Sequence, residues 1–348
     1  MTRVPPHSAP PRSRPPPRAK WRLGEAPWQE LPPVPGRRAR AIVDNDFSGD
    51  PDDLPQLVHQ LLTTNVETRL VVASHLSPGD QFDPSGHTAQ NAERIVRDLF
   101  SRMGLDSTDV IRRGSKVGLR DRTTPALSPA VDAIVAEAMR DDDSPLFYLA
   151  GGGLTDLASA LLVEPRIAER MTLIWIGGGE HADLASPPPN AMPVEYNLLI
   201  DVAAAQVVFG DSDIPIWQVP RNIYRQYLVS GAELRIRMAA TGPLGRYMYD
   251  EIAAVLRAVA GFIGPAETYA LGDSPLVLLS SLQSTFEPDS SSSALVVRST
   301  PAISDGGAYL PSPDARPMRV YTRVDTRLMF EDLFLKLAEF ESWAARVE

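Results

Sequence analysis

Short apolar runs alternate with longer amphipathic stretches along most of the chain, and this alternation limits the fold more than any other feature. Arg40-Ala41-Ile42-Val43 is followed by a helical pattern over 54–62, and Leu70-Val71-Val72-Ala73 by one over 87–103. The run 146–150 precedes a helical 155–162, the run 171–176 precedes a helical 201–209, and a further run covers 214–219. Runs of this length between helical patterns fit strands covered on both faces better than half-exposed hairpins. The fold class expected is α/β, a mostly parallel central sheet flanked by helices on both faces. Beyond these elements, 231–270 looks helical, 295–297 and 319–321 resemble late strands, 288–293 is a serine-containing loop, and 328–344 is an amphipathic closing helix. There is no internal repeat, so 39–348 reads as a single domain. In such sheets ligands bind beyond the carboxyl ends of the strands.

Residues 1–38 break the pattern. They are rich in proline and arginine, with runs such as Pro15-Pro16-Pro17 that cannot enter a helix or a sheet interior. A disordered tail is expected there, without the apolar stretch of a secretory signal. This segment carries a net charge of +6, and the whole chain is −10, which leaves −16 on the remainder. An acidic body argues against nucleic-acid binding and suits a cation site. No apolar run has the length of a membrane span, so a soluble protein is expected, with no membrane partner. The chain has no cysteine, which excludes disulfides, thiolate metal sites and a cysteine nucleophile, and fits a cytoplasmic enzyme.

The strongest chemical signal follows the first apolar run: Asp44-Asn45-Asp46-Phe47-Ser48-Gly49-Asp50-Pro51-Asp52-Asp53, five aspartates in ten residues. Carboxylates this close repel unless something neutralises them, and a hard divalent cation, which takes oxygen ligands, is the simplest neutraliser. Gly49 and Pro51 let the chain turn back so that acids from both ends converge. The plainer alternative is an acidic turn that caps the next helix.

This segment resembles the N-terminal aspartate motif of the nucleoside hydrolases, D-x-D-P-G-x-D-D, and the chain looks like a divergent, inosine-uridine preferring type of that family. Asp44, Asp46, Asp52 and Asp53 match the motif. The resemblance implies that Asp46 and Asp53 bind Ca2+ and that Asp52 is the general base, with Asp44 and Asn45 near the substrate. Asp46 and Asp52 are six residues apart where the family has four, which leaves Asp50 as a second candidate for the base.

Three later segments extend the likeness in the family's order. Gly151-Gly152-Gly153-Leu154-Thr155 resembles its G-P-L-T-N segment, which implies that the Gly151 carbonyl is a calcium ligand; glycine allows such an approach. Gly177-Gly178-Gly179 followed by Asn190, Glu195 and Asn197 resembles its glycine pair and N-x-x-x-x-x-E-F-N, whose side chains hold sugar hydroxyls. Asp201 is expected to cap a helix. Gly272-Asp273-Ser274-Pro275 resembles an H-D-P segment and makes Asp273 the last calcium carboxylate, with Gly272 where many members place a histidine for the leaving group. His75 and His181, each after a strand end, and Tyr224 and Arg225 are further candidates, with His75 placed at the substrate.

The resemblance covers roughly 40–340. It implies an N-glycosyl hydrolase in which calcium holds water and two hydroxyls of a ribose-like sugar, Asp52 takes the water's proton, and base and sugar are released through an oxocarbenium-like transition state. It also implies a homodimer or homotetramer. Two other classes compete. A phosphatase of the haloacid-dehalogenase kind also begins with D-x-D after a strand, but it needs a downstream lysine, and Lys116 is the only one between Lys20 and Lys336. The lengthened turn and Gly272 also fit a non-catalytic calcium- and sugar-binding module, or a hydrolase of an unusual N-glycoside.

Overall fold

The computed structural model describes residues 20–29, 39–283 and 292–347. In chain order, its first half alternates as expected: β1 (Ala39–Asn45), α1 (Asp53–Leu61), β2 (Val66–Ala73), α2 (Thr88–Met103), β3 (Ile111–Arg113), α3 (Pro129–Ala138), β4 (Leu146–Ala150), α4 (Thr155–Val163) and β5 (Thr172–Ile176). Two short helices follow, α5 (Tyr196–Ile200) and α6 (Val202–Gln206), then β6 (Ile216–Val219) and the single turn α7 (Arg221–Tyr224). The remainder is β7 (Leu228–Ser230), α8 (Gly231–Glu233), α9 (Pro243–Ile263), β8 (Thr268–Ala270), α10 (Pro275–Ser281), β9 (Ala294–Ser299), the hairpin β10 (Ala302–Ile303) and β11 (Tyr309–Leu310), β12 (Pro317–Arg323) and α11 (Thr326–Val347).

Eight strands form the central sheet in the order β3-β2-β1-β4-β5-β6-β12-β9, all parallel except β9, which runs antiparallel to β12 at the edge. Side chains of a strand alternate between faces, so a sheet buried on both sides feeds two cores. In β1, Ala41 and Val43 join one core with α1, α2 and α11, and Ile42 joins the other with α3 and α4. The fold class expected from the alternation is the one observed. Chain order reverses between β1 and β4, and a crevice opens where adjacent strands send their connections to opposite sides. Asp46 follows β1 there, and Gly151 follows β4.

Local signals explain several boundaries. Ser128 caps α3 by accepting from the Val131 N–H at 3.3 Å, with Pro129 at the first helical position. Gly104 ends α2 at φ 74°. Three features depart from expectation. The short edge strand β3 and helix α3 were not foreseen, and the stretch 231–270 is helix only to Ile263, because Thr268–Ala270 pairs with β7. Within the segment expected to be a disordered tail, residues 20–29 pack on the body. Trp21 and Trp28 are buried in an aromatic cluster with Phe340 and Trp343, and the Trp21 indole donates to the Met103 carbonyl at 2.5 Å. Two indoles offer enough apolar surface to hold ten residues against the body. Residues 1–19 and 30–38, and most of the loop expected at 288–293, lie outside the described residues.

Candidate active site

The acidic segment does not cap its helix. Asp52 occupies the N-cap position of α1, yet its side chain accepts no helical N–H and instead takes the Asp273 N–H on Oδ2 at 3.3 Å. Asp53 lies in the first turn, where the helix dipole favours a negative charge. The longer turn is pinned by Phe47, which is buried in the core, and by the Gly49 N–H donating to the Asp46 carbonyl at 2.7 Å. Asp52, Asp53 and Asp273 each bring an oxygen within 4.8 Å of the other two. Asp46 is outside this trio but lines the same cavity as Asp52 and Asp273.

That cavity has a volume of about 210 Å³ and lies at the carboxyl ends of the strands. Asp46, Asp50, Asp52, Asp273, Glu195, Asn197, Gly151 and Gly272 line it, with Ile176, Tyr196, Tyr224, Gln81 and Phe82. Burial, then repulsion between neighbouring carboxylates, pushes Asp46, Asp52 and Asp53 well above the usual carboxylate range. Asp273 is raised to about 7 by burial and the nearby Asp50 and Glu195 charges, and Asp50 to about 6 by burial against the opposing bond from the Tyr269 hydroxyl. Asp46 Oδ2 and both Asp53 oxygens are buried without a hydrogen-bond donor. Buried carboxylate oxygens normally have one, so these await a positive partner. The all-oxygen donor set suits a hard cation, and the acidic cluster could hold a metal ion. Gly151 is packed so closely that a Cβ there would lie 2.0 Å from Asp273 Oδ2 and 2.8 Å from Asn45 Oδ1.

Of the residues expected at the substrate, Glu195 and Asn197 line the cavity. The Glu195 carboxylate is held by the N–H groups of Gly178 (2.7 Å), Asn197 (3.1 Å) and Leu198 (3.0 Å) and by the Tyr224 hydroxyl (2.7 Å). Asn197 donates to the carbonyls of Gly151 (3.0 Å) and Ile176 (2.8 Å), which leaves its Oδ1 for a ligand. The other four expected residues are elsewhere. Asn45 is fully buried and spent: its amide donates to Gln56 and Asp273, and its oxygen accepts from the Gly151 N–H. It braces the cluster and touches nothing in the cavity. Asp44 is buried beneath, bonded by the hydroxyls of Ser74 and Tyr148. His75 is buried between the Leu76 carbonyl and the Thr155 hydroxyl, and His181 bonds Gln218 at 2.9 Å. Asn190 is exposed in a turn at φ 61° and does not reach the cavity wall. Asp201 caps α6 through the Ala204 N–H at 2.9 Å, as expected.

The family model for inosine-uridine preferring nucleoside hydrolases matches residues 42–327. The chain belongs to this family. The inosine-uridine preferring nucleoside hydrolase of Leishmania major is 34% identical over 119 residues, 33% of this chain and 35% of that protein. The one from Crithidia fasciculata is 33% identical over 117 residues, 33% of this chain and 31% of that protein. The aligned segment thus spans about a third of the length of these curated relatives. A purine-preferring ribonucleoside hydrolase from Gardnerella vaginalis has the same fold, with a TM-score of 0.69 at 16% identity over 88% of this chain and 100% of that one.

Within this nucleoside hydrolase family member, two neighbours of the acidic turn were given no role from sequence: Tyr269, which had no signal, and Tyr196, which stands inside the Glu195-Tyr196-Asn197 match. Tyr269, on β8, bonds Asp50 through its hydroxyl, and Tyr196 bonds Asp80 at 2.7 Å. Both tyrosines pair with acids more than a hundred residues away, so only the fold joins them. Gly272 does have a visible consequence. A Cβ there would lie 3.2 Å from Asp52 Oδ2 and 3.4 Å from the Tyr224 ring, so its bareness lets both approach.

Proposed function

We propose that this nucleoside hydrolase family member is a calcium-dependent N-ribohydrolase that cleaves a ribonucleoside or related N-riboside to free base and ribose. One observation carries it: buried carboxylate oxygens of Asp46 and Asp53 without donors stand beside Asp52 and Asp273, at the crevice between β1 and β4. Asp46, Asp53, Asp273 and the Gly151 carbonyl would hold the cation; the close approach at Gly151 and the all-oxygen donors fit it. When bound, the cation supplies positive charge that offsets the carboxylate repulsion, orients water and sugar hydroxyls, and eases deprotonation of the water.

The side chains then divide the work. Asp52 faces the cavity at the mouth of α1 and accepts the proton of the attacking water as general base. Glu195 already takes four donors, which fill its acceptor sites, so its carboxylate is a fixed charge on the floor, and a sugar hydroxyl reaches it by replacing the Tyr224 hydroxyl. The Asn197 Oδ1 offers a second acceptor. As the bond to nitrogen breaks, the carboxylates around the anomeric carbon stabilise the oxocarbenium-like charge. Among the described residues no histidine lines the cavity, and Gly272 lies in its wall.

The test is release of free base from a panel of purine and pyrimidine ribosides, with and without a calcium chelator, beside Asp52→Ala. Release that requires both calcium and Asp52 is the expected result. A calcium-loaded protein that frees no base from any riboside overturns the proposal.

A further inference from the structure

Helix α1 carries two amides where packing asks for none. All nine of its residues are buried, and Leu54, Leu57, Val58 and Leu61 supply apolar surface to the core. Gln56 and Gln60 are each 0% exposed. They lie three and seven residues after Asp53, so they share the face that begins at that carboxylate. Gln60 has no partner for either amide atom among the described residues, and Gln56 has none for Nε2. A buried amide group without a partner costs stability that an apolar side chain of the same length would not. Gln56 differs from Gln60 in one bond.

Its Oε1 accepts from Asn45 Nδ2 at 3.1 Å. The same nitrogen donates to Asp273 Oδ2 at 3.3 Å, and Asn45 Oδ1 accepts the Gly151 N–H at 3.0 Å, a donor it shares with the Asp44 carbonyl. Asn45 therefore touches two groups assigned to the cation, which enter the cluster after β4 and before α10. An Asn45 amide turned over would set its oxygen against the Asp273 carboxylate and its hydrogens against the Gly151 N–H. Gln56 Oε1 opposes the same turn, because it faces the nitrogen and would then meet the oxygen. Gln56 is thus a stop that keeps Asn45 in the orientation tying Asp273 to the Gly151 backbone.

We propose that Gln56 is a positioning residue for the cation: acting through Asn45, it holds Asp273 and the Gly151 backbone in register before the ion arrives. The proposal rests on the calcium reading above. A site set in advance loses less freedom on binding, so this bond contributes to affinity and not to packing. It also joins the two ligand groups to α1, the helix whose first residue is Asp53.

The experiment is a calorimetric calcium titration of the full chain after metal is stripped, with thermal unfolding in chelator as a separate readout of the fold. The variants are Gln56→Met, Gln56→Glu, Gln60→Met, Asn45→Ala, and Asn45→Ala combined with Gln56→Met. Gln56→Met keeps the length and removes the acceptor, and is expected to weaken calcium about tenfold, the low end for groups that orient metal ligands. Gln56→Glu keeps an acceptor for Asn45 and should bind calcium no more weakly than the wild type. Gln60→Met alters the same face without touching Asn45 and should stay within about twofold. The double variant should match Asn45→Ala alone, because a residue that acts through another adds nothing once that one is gone. Losses that multiply overturn the proposal, as does wild-type affinity in Gln56→Met or an equal loss in Gln60→Met. Should Gln56→Met fail to fold, Gln56→Glu decides, and calcium binding weakened tenfold there overturns it. A wild type that binds no calcium defeats the reading above instead. Magnesium and manganese titrations of the same variants then measure the Gln56–Asn45 link, and a cluster that takes none of the three ions overturns both.

Discussion

Two groups of buried aspartates lie on either side of the end of β1, and they differ in one respect. In the rear group each carboxylate has donors. Asp44 takes the Ser74 and Tyr148 hydroxyls; Asp156 takes the Ser115 N–H at 3.0 and 3.2 Å and the Ser128 hydroxyl at 2.7 Å; Asp201 takes the Thr155 hydroxyl and the Leu119 N–H at 2.7 Å and the Ala204 N–H at 2.9 Å. In the front group Asp53 has none, and Asp46 keeps one bare oxygen. Both groups are equally buried, so burial alone does not mark a binding site. Donors turn a buried acid into a strut, and their absence leaves a charge for a ligand to meet.

The sharpest break of this comparison is Asp53→Asn. It should lower cation affinity by at least about 100-fold and abolish hydrolysis, as loss of a direct ligand does. The same change should stabilise the cation-free protein, because the amide is neutral without the proton that burial and repulsion force Asp53 to take up on folding; thermal unfolding with and without chelator separates the two. Asp201→Ala should behave in the opposite way. Three stranded donors cost about 3 kcal/mol of stability in either condition, while cation affinity measured by calorimetry stays within about threefold. A front-group variant that lowers cation-free stability, or a rear-group variant that abolishes cation binding, would erase the distinction.

The effect of pH follows from the same carboxylates. Asp273 near 7 and Asp50 near 6 hold protons in the folded, cation-free protein that the unfolded chain, with acids near 3.8, has already released. The folded state binds more protons across that window, so cation-free stability falls as pH rises from about 4 to about 7. Cation binding must expel those protons, and affinity therefore rises over the same window, by up to about tenfold per pH unit for each proton displaced. A calcium titration at pH 5, 6, 7 and 8 that gives one constant would contradict this. The smallest expected effect is Tyr148→Phe, which removes one of two donors to Asp44 and should cost about 1 kcal/mol, with turnover unchanged within a few-fold.

The alternation of runs such as Arg40-Ala41-Ile42-Val43 with helical stretches was sufficient for the sheet, because a strand buried on both faces leaves a local apolar signature. The same holds for the acids, since Asp52, Asp53 and Asp273 face one point. What stayed hidden was set by distant partners. Asn45 ends a strand and His75 follows one, as ligands often do, yet Asn45 is consumed by Gln56, Gly151 and Asp273, and His75 by Thr155. Nothing near Asp80 in the chain announces Tyr196. Strand β3 has three residues, too few for a period to show. Trp21 and Trp28 sit in a segment whose prolines and arginines masked its few apolar residues.

Trp175 gives the site an optical handle. Its indole is fully buried on β5 and donates to the Gly152 carbonyl at 3.0 Å, one residue from Gly151, and a Cβ at Gly177 would strike its ring. Any rearrangement of the Gly151 backbone as charge enters the cluster reaches this ring first, so its emission should track cation loading. The chain has five tryptophans, and Trp21, Trp28 and Trp343 share one aromatic cluster of their own. Their light is a background insensitive to the cation. A protein with phenylalanine at Trp343 and Trp217 would leave Trp175 a larger share of the signal, and its intensity during a calcium titration would follow the carboxylates directly.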